Sequence, residues 1–413
     1  MKKAQAIRKS PTFGCLRPAL KWCIAFVSIC LVGFFGPAIA MLPEVNWISD
    51  RIRQRISVSL SSSKSSDMIA FACMNRYGWG SRLYTVHADG SHLRVLRSSA
   101  SQQHRKLNWS PDGIWIAFHT ETDAYDFSLF RYFTWTYEGG NEEIFAIRFD
   151  GTDWRRLTYN HNHDSDPRWS HDGTSIYFRG RDSLLYRVFW ETEQIQTISA
   201  YPIRIFDISP DDQWVAFNYY RGLDAFSRNP EVSNSVDFDA IYRMNLDGSG
   251  SQVLKHVKSN IRTGIQWSPN SEYLLYHDYS KRPFVLNTTT LTEDFAPKFA
   301  TGQASWSPDG RWIALIGSNS AYMENGEWID LSNGENTSPG PNLYVLNVST
   351  GQLTEVKTEA KSAGVSWSPD GEWIAFVSNS HDGQLFKIRR DGTALQQLTD
   401  IDCRISELSW SPK

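Results

Sequence analysis

The sequence lacks the local signatures by which an enzyme is usually recognised. It has no Gly-x-Ser-x-Gly elbow, no His-Glu-x-x-His helix, no Cys-x-x-Cys pair and no phosphate-cradling glycine loop. A surplus of one charge is missing too: 42 Lys and Arg stand against 45 Asp and Glu, and no basic run occurs beyond the first residues. That balance gives no basis for a nucleic-acid partner. Cysteine is scarce, with five in 413 residues. Cys15 and Cys23 lie in or before an apolar segment, and Cys30 follows Ile29, where a lipoprotein signal needs a small residue.

Long apolar runs are equally few, and the one that exists has a direction. Lys2, Lys3, Arg8, Lys9, Arg17 and Lys21 precede a stretch from Trp22 to Leu42 that carries no charge. Its length, about twenty residues, suffices for a membrane-spanning helix. Ala38-Ile39-Ala40 equally resembles a signal-peptidase site, so residues 1–42 are expected to be either a transmembrane anchor or a cleaved signal peptide. Both readings place the rest of the chain outside the cytoplasmic membrane: single-pass in the cell membrane, or secreted or periplasmic. Residues 43–66, with a serine-rich run, are expected to form a flexible linker.

What the chain has in abundance is one phrase. Trp-Ser-Pro-Asp-Gly followed by a short apolar run occurs in full at Trp109–Gly113, Trp306–Gly310 and Trp367–Gly371. Weaker copies begin at Trp169, Ile208 and Trp267, and a last one is cut short at Trp410-Ser411-Pro412. Ser-Pro-Asp-Gly suits a type I turn: proline fixes φ, the aspartate carboxylate caps nearby N–H groups, and glycine tolerates positive φ. Each copy therefore predicts a hairpin. A second hairpin follows, as in Ile144–Ile147, Asp150-Gly151-Thr152 and Leu157-Thr158, or Leu385–Ile388, Asp391-Gly392-Thr393 and Leu398-Thr399. Four-stranded antiparallel units repeated every 40 to 60 residues or so predict an all-β propeller. More than half of the seventeen tryptophans sit in the phrase and are expected to pack blade against blade.

These residues resemble the TolB-type β-propeller repeat over about residues 67–413. The resemblance implies a propeller and says little of function, because that family mixes envelope scaffolds, sensors and the propeller halves of peptidases. In the prolyl oligopeptidase family a similar propeller is followed by a hydrolase domain. The chain stops at Lys413, so that enzyme is not the expectation.

The repeat begins in mid-phrase. Met68–Phe71 matches a second strand, Arg82–His87 a third and Leu93–Leu96 a fourth, whereas Leu408–Trp410 is a first strand with no successor. Pairing the two ends in one blade gives seven blades. The same closure brings Cys73 and Cys403 towards one rim, where an oxidising compartment would allow a disulfide.

Spacings between first strands alternate between about 40 and about 60 residues, because inserts at 119–143, 218–239 and 317–342 separate second from third strands. All three fall on the face opposite the Ser-Pro-Asp-Gly turns. They carry aromatics, among them Tyr125, Phe130, Tyr132, Trp135, Tyr220, Tyr322 and Trp328, and about fourteen carboxylates against Arg131, Arg221 and Arg228. Loops of this length and composition predict a ligand-binding rim for a protein, peptide or glycan. On the same face His161, His163, Asp164 and Asp166 cluster before a first strand, a set that suits a divalent metal and resembles the His-metal sites of some propeller polysaccharide lyases. The expected function is therefore a non-enzymatic, membrane-tethered binding propeller without a cofactor; the alternative is a carbohydrate-active lyase or hydrolase with a metal at the channel mouth.

Overall fold

Six hairpins are built from the same set of hydrogen bonds. In the computed structural model, the turn at Ser110–Gly113 is closed by Gly113 N–H donating to the Ser110 carbonyl at 2.9 Å. The Ser110 hydroxyl donates to Asp112 at 2.5 Å and accepts the Trp115 N–H at 2.8 Å, while Asp112 accepts the Ile114 N–H at 2.9 Å. Two side chains thus satisfy N–H groups that the tight reversal takes out of the ladder. The set recurs with Ser170 and Asp172, Ser209 and Asp211, Ser268 and Asn270, Ser307 and Asp309, and Ser368 and Asp370. The fourth residue takes positive φ whether it is Gly113 (70°), Asp212 (53°) or Ser271 (58°), which is how the weaker copies of the phrase still turn.

The structure describes residues 67–74, 80–99, 103–121, 141–160, 163–219, 240–257, 261, 263–278, 281–295, 301–317, 322–324, 327–329, 342–356, 358, 364–378 and 383–412. Their hairpins assemble into seven four-stranded antiparallel sheets. Numbered in chain order, blade 1 holds Met68–Met74, Ser81–His87 and Arg94–Ser99, with Arg404–Trp410 as its first strand. The first strands of blades 2 to 7 are Arg105–Trp109, Ser165–Trp169, Ile203–Ile208, Thr263–Trp267, Thr301–Trp306 and Val365–Trp367. Between the second and third strands of blade 6, Tyr322–Glu324 and Glu327–Ile329 pair as an additional small hairpin inside what the sequence reads as a loop.

Apolar side chains fill every gap between neighbouring blades. Leu107 and Trp109 of blade 2 pack with Met68, Ala70 and Leu83 of blade 1, and the pattern repeats round to blade 7, where Ala375 and Val377 meet Ile69 and Phe71. The Trp of each phrase lies against the preceding blade, 5 to 8 % exposed. Second strands face blades on both sides, so Ile116–Phe118 and Ile374–Val377 are buried at every position. At about 1.5–3 kcal/mol for each fully buried large side chain, these gaps hold the fold together.

Blade 1 joins distant parts of the chain. Ile69, Ala70 and Phe71 pair with Trp410, Ser409 and Leu408. Ser411 N–H donates to the Met68 carbonyl at 2.8 Å, and its hydroxyl accepts the Met68 N–H at 3.2 Å. These are the bonds that Ser110 makes with Trp115, so the serine of the truncated phrase completes its hairpin contacts with a strand 343 residues away. Cys73 and Cys403 form a disulfide in this blade, with Cα atoms 5.9 Å apart. The proposed anchor or signal at 1–42 and the linker at 43–66 lie outside the described residues. Among the described residues no helix is long and apolar enough to cross a membrane.

Candidate functional site

First strands of neighbouring blades touch each other and so lie nearest the propeller axis. At their Ser-Pro-Asp-Gly end they surround a cavity of about 590 Å³. Its wall is built from the repeat itself: the indoles of Trp109, Trp169, Trp267, Trp367 and Trp410, and the turn prolines Pro111, Pro210, Pro308, Pro369 and Pro412. Ile208 and His171 stand where the phrase departs from its consensus. The volume falls within the ~300–1,000 Å³ typical of ligand sites, and the lining joins apolar and polar surface in comparable amounts.

Four of the polar groups come from the residue just before the Trp position, Asn108 in blade 2, Arg168 in blade 3, Asp207 in blade 4 and Ser409 in blade 1, and Ser170, His171 and Ser411 follow that position. Arg168 and Asp207 form an ion pair, Nε to Oδ1 at 3.6 Å, with side chains 29 % and 21 % exposed. Asp207 also accepts the Trp267 N–H at 2.8 Å, as Asn108 accepts the Trp169 N–H at 2.7 Å and Ser366 the Trp410 N–H at 3.1 Å. Burial pushes the Asp207 carboxyl above its usual range, against the opposing pull of Arg168. Two indoles, Trp109 and Trp367, donate across the blade boundary to the carbonyls of Ser409 and Ser305. The buried indole N–H groups of Trp169, Trp267 and Trp410 have no acceptor among the described residues. Arg168 and Asp207 were not singled out by the sequence reading. The signal was nevertheless present, since the residue before the Trp position is polar in every copy: Asn108, Arg168, Asp207, Gln266, Ser305, Ser366 and Ser409.

The opposite end of the first strands carries charge. Lys106 and Asp166 sit on bulges with φ of 59° and 57°, and their side chains approach to 3.9 Å. Asp166 is held by Arg179 at 2.9 Å and has its pKa lowered despite burial. Glu407 accepts the N–H groups of Lys106 at 2.6 Å and Leu107 at 3.1 Å, tying blade 1 to blade 2. His119, 4.0 Å from Glu142, is kept neutral by burial, which pushes its pKa down to about 4.

The sequence-predicted metal set is distributed over this end. His163 Nδ1 lies 3.4 Å from the Glu142 N–H, Asp164 is buried and accepts from Asn160 at 2.8 Å, Asp166 is engaged by Arg179, and His161 lies outside the described residues. Among the described residues no group of three or more His, Cys, Asp or Glu is placed to hold a metal ion. Of the predicted binding rim, Tyr125, Phe130, Tyr132, Trp135 and Tyr220 also lie outside them. Tyr322 and Trp328 belong to the two strands of the small hairpin of blade 6.

No protein-family model matches this chain. Two curated relatives align with part of it: the uncharacterized peptidase YuxL of Bacillus subtilis, 27 % identical over 123 residues, and the uncharacterized protein Atu1656 of Agrobacterium fabrum, 24 % identical over 138 residues. The alignments span 29 % and 33 % of this chain but only 17 % and 38 % of those proteins. Solved structures are similar over much more of its length. A candidate 6-phosphogluconolactonase from Bacteroides uniformis superposes with a TM-score of 0.52 at 14 % identity, covering 83 % of this chain and 98 % of that one. A chain of the mitotic checkpoint complex gives 0.51 at 14 % identity over 74 % and 80 %. TolB from Acinetobacter baumannii gives 0.49 at 16 % identity over 90 % and 72 %. What is shared is the fold. Identities this low extend to neither activity nor ligand.

Proposed function

We propose that this chain is a non-enzymatic binding propeller, held on the outer side of the cytoplasmic membrane by its N-terminal apolar segment, that receives a segment of a protein or peptide in the axial cavity. The observation that carries this reading is the cavity itself: about 590 Å³, walled by the indoles and prolines of the repeated phrase, with a half-buried ion pair, Arg168 and Asp207, among its polar groups. Apolar walls interleaved with fixed polar groups bind by exclusion of water and orient by charge. The reading moves binding from the long inserts to the opposite face, where six of the seven blades contribute a short, hydrogen-bonded turn and little reorganisation accompanies binding.

A photo-crosslinking residue tests this in the cell that makes the protein. Placed at Pro369, on the cavity wall, it should yield a defined adduct; placed at Tyr159, 69 % exposed and just beyond the fourth strand of blade 2 at the other end, it should not. Adducts from Tyr159 and none from Pro369 would return the site to the long-insert face.

A further inference from the structure

We infer that the axial cavity selects a carboxylate carried on an apolar stem, and that Arg168 receives it. The inference rests on the cavity being the binding site, and it adds the chemistry of what enters.

The cavity's hydrogen-bonding inventory is lopsided. Asn108 Oδ1 is taken by the Trp169 N–H, the Ser409 carbonyl by the Trp109 indole, and Asp207 Oδ2 by the Trp267 N–H. Arg168 meets Asp207 through Nε at 3.6 Å and also feels the charges of Asp166 and Glu407, but its two Nη groups donate no hydrogen bond among the described residues, which leaves them for an incoming acceptor. Three indole N–H groups in the same wall lack an acceptor there and add positive potential. A guanidinium fork in the wall of this cavity matches a carboxylate, because the bidentate geometry is complementary. The stem must be apolar because Pro111, Pro308 and Pro369 line the cavity with it.

A peptide carboxylate fits better than the uronate of a glycan. Sugars stack on exposed aromatic faces, and these indoles are only 5 to 6 % exposed, edge-locked between blades. Asp207 sets the strength of the site: its carboxylate partly neutralises Arg168, so weakening that neutralisation should strengthen binding.

Calorimetry on the full chain supplies the test, with 4-phenylbutyrate and its uncharged amide as minimal probes. Heptapeptide libraries with free or amidated C termini, and an oligogalacturonate, extend the series. The acid should bind at least roughly tenfold more tightly than the amide, as expected of a charge-assisted bond. Arg168→Gln should bring the acid down to the affinity of the amide, Arg168→Lys should recover part of it, and Asp207→Asn, which retains an acceptor for the Trp267 N–H, should tighten the acid several-fold. Free-terminus peptides binding above amidated ones would assign a C-terminal carboxylate; equal binding that depends on acidic residues would assign a side chain. Equal affinity for acid and amide, unaffected by Arg168→Gln, overturns the charge claim and leaves the cavity as a site. Weaker acid binding in Asp207→Asn also overturns it. Oligogalacturonate binding above every peptide overturns the peptide assignment, and no binding of any probe overturns the inference and the site together.

Discussion

Asp164 is a buried carboxyl with more acid than base around it. Its carboxylate accepts from Asn160 and faces Thr158, whose single hydroxyl proton is shared with Glu143, whose own charge is met by Arg156; Asp182, held by the Tyr186 hydroxyl, adds a further negative charge. Burial pushes the Asp164 pKa up to about 7, opposed by its two hydrogen bonds and reinforced by Glu143 and Asp182. The native state therefore holds a proton that the unfolded chain releases near pH 4, and stability falls as pH rises from about 4 to about 7. His104 and His119 work in the opposite sense. Burial lowers their pKa values to about 3 and about 4, so their contribution is lost as pH falls below about 6.5. The wild-type profile is a difference of these terms, and the Asp164→Asn variant isolates one of them. Denaturation at pH 5 and pH 8 should show the variant gaining on wild type at the higher pH by on the order of a few kcal/mol; an unchanged gap would place Asp164 in an environment that does not favour its proton. Gly248 is a residue-scale constraint of another kind. Its φ is +89°, and a Cβ there would lie 2.0 Å from the Ile198 carbonyl of the preceding blade. Gly248→Ala should cost about 2 kcal/mol or more by urea denaturation, because both the conformation and the space forbid a side chain.

The hairpin is the element on which the fold depends, and most of it was readable. Proline, aspartate and glycine each announced a turn position, and the polar third residue and positive-φ fourth residue survive in copies as degenerate as Ser268–Ser271. The serine's role was not readable, since a hydroxyl that accepts an N–H five residues later leaves no trace in composition. It explains Ser411, whose partner is Met68 rather than any residue following it. Ser411→Ala should destabilise the protein by about 1 kcal/mol, the ordinary worth of such a bond, and the same change at Ser110 should cost about the same if the two hairpins are equivalent. A much smaller loss at Ser411, measured by urea denaturation in both variants, would mean that the first strand of blade 1 is held by its apolar contacts alone. The small hairpin of blade 6 escaped the sequence reading because three-residue strands flanked by Ser, Asn and Gly carry too little alternation to stand out.

At the scale of the whole molecule, blade number followed from counting phrases, and the union of the chain's distant strands from which strands lacked partners. The candidate site followed less well. Long aromatic inserts drew attention to one face, whereas the described cavity lies at the other and is made of residues that the repeat already explained as packing. A Trp that wedges two blades and a Pro that sets a turn look wholly structural in sequence. Only their convergence gives them a shared surface, and convergence of seven distant segments is a property of the assembled blades rather than of any window of sequence. Arg168 and Asp207 owe their meaning to the same geometry: 39 residues apart in the chain, they meet because blades 3 and 4 are neighbours. The most direct measurement is the ¹⁹F spectrum of 5-fluorotryptophan-labelled protein, assigned by single Trp→Phe changes, with and without the partner recovered by cross-linking. Resonances of Trp169, Trp267, Trp367 and Trp410 should move while that of Trp154, on the fourth strand of blade 2, stays in place; movement confined to Trp135 and Trp328 of the long inserts would contradict the account.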